Sequence, residues 1–116
     1  MTKASDRIRT LCLTLPEATE ETMKRGPTYR AGGRIFAWDR PWQGAASVWL
    51  KVPAGVQSVL IGADPKRFFV PPFVGTKGWI GVSLAGKPDW AEVESLLRRS
   101  YRLVAPKKLA ERVPEG

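Results

Sequence analysis

The stretch Ala46 to Val52 constrains this fold more than any other part of the chain. Successive side chains on a strand point to opposite faces. Ala46, Val48, Leu50 and Val52 therefore share one face, and Ser47, Trp49 and Lys51 share the other. β-Branched and aromatic residues suit such a half-buried pleated surface. A strand with one aliphatic face needs neighbouring strands and a covering layer. Trp79 to Leu84 repeats the pattern, with Ile80, Val82 and Leu84 opposite Trp79, Gly81 and Ser83. In Arg34 to Trp38, Ile35 and Ala37 oppose Arg34, Phe36 and Trp38. With the aliphatic sets against helices, the second sheet face is expected to carry Phe36, Trp38, Trp49 and Trp79 with Arg34 and Lys51.

Helical periodicity supplies the covering layer. Ile8, Leu11, Cys12 and Leu15 recur at helical spacing, which predicts a helix over Ala4 to Leu15, ended by Pro16. Glu17, Glu20 and Glu21 then read as an acidic connector, and Thr22 to Arg25 as a short strand. Gly32-Gly33 marks a hairpin between Thr28–Ala31 and Arg34–Trp38. A second helix is expected over Gly55 to Ala63, stopped at Asp64-Pro65, and a short strand at Phe68 to Val70. Asp89 and Glu92 have capping-box spacing ahead of a helix to Tyr101, and a last helix is expected over Pro106 to Arg112. The order is helix, three or four strands, helix, two strands, helix. It predicts a two-layer α+β domain over residues 1–116, a mostly antiparallel sheet with helices on one side.

The residue inventory excludes much chemistry. The 116 residues contain no histidine, so histidine triads, HExxH zinc sites and Cys/His zinc fingers are all ruled out. The one cysteine, Cys12, lies in an apolar helical stripe, cannot form an internal disulfide and fits a reducing cytoplasm. No apolar run approaches the ~18 residues of a membrane span, and Met1 to Arg9 leads into a charged amphipathic segment, so no signal peptide is expected. The glycines lack P-loop spacing. No pair of carboxylates has the setting of an acid–base site, so no catalytic residue, metal or cofactor is expected.

Charge is concentrated instead. Between Lys24 and Pro88 lie ten basic residues against two acids, Asp39 and Asp64, so this segment holds the entire net charge of +8. Such asymmetry creates a local field that attracts polyanions.

Several segments then point to a family. They are Leu15-Pro16-Glu17, Gly33 to Ala37, Asp64-Pro65-Lys66-Arg67-Phe68-Phe69-Val70-Pro71-Pro72, Gly75-Thr76-Lys77-Gly78-Trp79-Ile80-Gly81-Val82 and Ser100 to Leu109. In this order they resemble the MmcQ/YjbR family of small bacterial proteins. The resemblance implies a secretion-chaperone-like or CyaY-like α+β fold and DNA binding through a double-wing arrangement. Many members carry an Asn-Lys-x-His-Trp stretch before the penultimate strand. Here Lys77 and Trp79 match it, while the Asn and His positions do not, so no role needing that histidine carries over.

The expected function is non-enzymatic nucleic-acid binding, with DNA favoured. Arg30, Arg34, Arg40, Lys51, Lys66, Arg67 and Lys77 are expected to contact phosphates, and Trp38 or Trp49 to stack on or pack against the ligand, with packing of both under a long loop, the C-terminal segment or a dimer interface the competing expectation. The alternative is a protein- or small-ligand-binding module, or a homodimer, that uses the aromatic face as its interface. Core packing is the simpler expectation for Trp79.

Overall fold

The computed structural model describes residues 3–113. Its elements are α1 (Lys3–Leu13), β1 (Ala18–Glu21), β2 (Thr28–Ala31), β3 (Arg34–Asp39), β4 (Ser47–Lys51), α2 (Val56–Ala63), β5 (Phe68–Phe69), β6 (Trp79–Ser83), α3 (Trp90–Val104) and α4 (Lys107–Ala110). A 3₁₀ turn at Gly75–Lys77 leads into β6. The strands form one antiparallel sheet in the order β1-β2-β3-β4-β6-β5.

The helices cover one face, as the aliphatic pattern requires. Val48, Leu50, Ile80 and Val82 join Ile8 and Cys12 of α1 and Val93, Leu97 and Tyr101 of α3 in the main core. Helix α3 is started by Asp89, whose carboxylate accepts from the Glu92 amide at 3.2 Å.

Two expectations around β1 are corrected. Thr22–Arg25 is no strand but part of a turn, and the acidic connector is itself the edge strand, pairing Ala18 with Ala31 and Glu21 with Thr28. Cations on neighbouring elements make this possible: Arg9 meets Glu20 at 2.7 Å and Arg30 meets Glu21 at 3.1 Å.

A bulge in β3 is the larger departure. Tyr29 pairs with Ala37, but Arg30 pairs with Ile35, which leaves Phe36 unmatched. The extra residue shifts alternation by one. Phe36 and Ala37 therefore both lie in the helix-side core, where Phe36 meets Tyr101 edge-on at 5.3 Å. Ile35 moves to the opposite face. The buried Ser100 hydroxyl of α3 donates to the Phe36 carbonyl at 2.6 Å and accepts from the Lys51 amide at 2.9 Å. One side chain thus ties the bulge and the end of β4 to the helix layer.

Candidate nucleic-acid interface

The face away from the helices is built on one cross-strand row. Thr28, Trp38, Trp49, Gly81 and Phe69 are successive partners across β2, β3, β4, β6 and β5. Gly81 permits the row to close: a Cβ there would lie 2.2 Å from the Phe69 ring. The rings form a second, smaller core. Trp38 stacks with Trp79 at 5.5 Å, and Trp42 stacks with Phe69 at 4.8 Å with an interplanar angle of 6°. Trp49 lies between these pairs, 6.0 Å from Trp38, 6.4 Å from Trp42 and 6.5 Å from Phe69.

Loops cover these rings. Trp42 comes from the β3–β4 loop and Val74 from the β5–β6 loop. Trp49 is 6% exposed and Trp79 8% exposed. The Trp49 indole N–H donates to Ser47 Oγ at 3.1 Å, and the Ser47 hydroxyl donates to the Arg40 carbonyl. Trp49 thus has no free ring face for a base, and the expected stacking role is corrected to core packing. Trp79 packs as expected. Trp38 is half-buried, engaged by Trp79 and by the Arg40 guanidinium 5.5 Å from its centroid.

The expected phosphate contacts divide into groups. Arg40 is 9% exposed, and its guanidinium donates to the carbonyls of Gly26, Pro27 and Asp39 and to Thr28 Oγ1 at 2.7–3.1 Å. It is a structural tie across the β2 entry and is not placed to contact phosphate. Arg34 lies opposite Ala31 of the helix-side core, so the bulge separates it from Lys51 instead of placing both on one face. Arg30 lies on the aromatic side, opposite Ile35, but its guanidinium bonds Glu21 and the Gly33 carbonyl. Arg67 is flanked by Asp64 at 3.7 Å and Glu92 at 3.6 Å. Lys51 sits opposite Trp79 on the aromatic face, Lys77 stands exposed in the turn before Trp79, and Lys66 is exposed before β5.

Two buried groups on the helix side bear on chemistry. Burial holds the Cys12 thiol well above its ordinary range, reinforced by Asp39 and Glu20, so it is protonated and inert at neutral pH. Burial also raises Asp39, opposed by a Ser5 hydrogen bond and by Arg40, and its Oδ2 has no hydrogen-bond partner. Its folded pKa thus lies above the unfolded value near ~3.9. The stability this contributes is full below that unfolded value and is lost as pH rises through the raised folded value. Asp39→Asn is expected to remove that fall, as read from urea melts across pH 3–8.

Residues 13–103 match the YjbR family model. The chain belongs to the YjbR family. Among solved structures, this YjbR chain is similar to a crystal structure of Deinococcus radiodurans protein DR2400, which carries a DUF419 domain. The TM-score is 0.78 at 24% identity, over 96% of this chain and 89% of that one. That likeness shows the same α+β fold. No curated protein matched this YjbR chain. Among its described residues, no group of three or more Cys, Asp or Glu is placed to hold a metal ion, and no helix is long and apolar enough to cross a membrane.

Proposed function

We propose that this YjbR domain is a non-enzymatic nucleic-acid-binding domain, with DNA the favoured ligand. The observation that supports it most is the local excess of exposed cations over carboxylates in the central segment. In the flanks nine acids balance nine cations, and Arg9, Arg98 and Arg112 are held by Glu20, Glu94 and Glu17. In the central segment, Lys24, Arg25, Arg34, Lys51, Lys66, Lys77 and Lys87 have no carboxylate within ion-pair distance among the described residues, and all but the half-exposed Lys51 are exposed. Cations left without internal partners are free to displace the counterions of a polyanion.

The test is a salt titration with labelled single- and double-stranded DNA. Binding is expected at low salt, with log affinity falling linearly in log salt by about 0.9 per duplex phosphate contacted. Absence of binding at low salt, or affinity indifferent to salt, rejects the reading.

A further inference from the structure

The tryptophans of the sheet are covered by the protein's own loops, but one aromatic ring is not. Phe73, in the β5–β6 loop, is 80% exposed. Its backbone has φ +67°, and the Val74 amide donates to the Pro72 carbonyl at 2.7 Å. This is a γ-turn of the rare positive-φ kind, strained for any residue with a Cβ. Single exposed hydrophobic residues are commonplace. An exposed ring held on strained backbone is not, because such strain persists only where the surroundings enforce it.

The surroundings enforce it here. Val74, the next residue, is buried against the Trp49 and Trp79 cluster. The Gly75 amide donates to the Pro71 carbonyl at 3.0 Å. From α2, the Gln57 amide donates to the carbonyls of Gly75 at 2.9 Å and Trp79 at 2.6 Å. The turn is pinned on both sides while its ring projects outward. Trp79, which the loop leads into, has Lys51 as its cross-strand partner and Lys77 two residues before it.

We propose that Phe73 is the base-contacting residue of the interface, and that its ligand is an unpaired nucleotide stacked on the ring, with Lys51 and Lys77 toward the adjoining phosphates. This rests on the nucleic-acid reading above and adds strand type to it. A duplex hides the faces of its bases, whereas a single strand offers them to an aromatic platform. A neutral apolar partner would have no use for the two cations where this loop enters β6.

The experiment measures fluorescence anisotropy with one labelled oligonucleotide, single-stranded and annealed to its complement, against the wild-type chain, Phe73→Ala and Phe73→Trp. Thermal melts check folding, which an exposed side chain should leave intact. Phe73→Ala is expected to weaken single-strand binding about 5- to 150-fold. Duplex affinity and the salt slope should stay unchanged, and Phe73→Trp should restore single-strand binding. The proposal is overturned if Phe73→Ala leaves single-strand affinity as it was, or weakens both forms equally. It is also overturned if the variant changes only the sedimentation of the free protein, which would make Phe73 a contact between copies. If the wild-type chain binds neither form at low salt, the nucleic-acid reading itself has failed, a result distinct from the others.

Discussion

Trp49→Ala is expected to lower the unfolding free energy by about 3–5 kcal/mol, the range for truncating a large buried aromatic residue. Trp49 touches Trp38, Trp42 and Phe69, so its loss opens a void beneath both covering loops. It also leaves Ser47 Oγ without the indole donor. Urea denaturation of the purified variant reads the effect directly. The half-buried Trp38 should cost less when truncated, because part of its ring area is already in water. A loss below ~1 kcal/mol for Trp49→Ala would show that the second face is not a core. If Trp49 were instead a stacking platform, the variant would lose affinity and keep its stability.

The opposite separation is expected for charge. Reversing Lys51, Lys66 and Lys77 together to glutamate should cost little stability, since surface substitutions away from special features are usually within about 0.5 kcal/mol. Binding should suffer far more. At 0.1 M salt each lost duplex phosphate contact forfeits about 0.9 log units of affinity through counterion release. Three contacts make roughly a 500-fold loss, with the salt slope shallower by about 2.7. A triple variant that binds duplex DNA as tightly as the wild-type chain would place the polyanion elsewhere on the surface.

The helix-side half of this molecule was legible from residue order because its strands alternate without interruption. Val48, Leu50, Ile80 and Val82 all lie where a period of two puts them. Lys51 is on the aromatic face for the same reason. Alternation failed at Phe36, where the bulge inserts a residue between two otherwise regular segments. No glycine or proline marks that position, and Phe36-Ala37 looks like ordinary strand sequence. Arg34 changed sides as a result. Arg40 was illegible for another reason: its partners are mostly carbonyls of Gly26, Pro27 and Asp39, which exist as acceptors only once the chain has folded. The acidic edge strand escaped notice because its charges are balanced by arginines remote in sequence, Arg9 and Arg30. Phe73 gave no signal in residue type, since a positive φ is normally announced by glycine or asparagine.

The two rims of the sheet bear on how copies of this chain could meet. At one rim, β1 carries Glu20 and Glu21. At the other, β5 is only two residues long and runs within two residues of Pro71-Pro72. Charge, shortness and proline each make a strand a poor template for a neighbour's backbone. The chain is therefore guarded at both ends against joining its sheet to another. A high concentration of protein along a polyanion could bring many copies together without inviting cross-β aggregation.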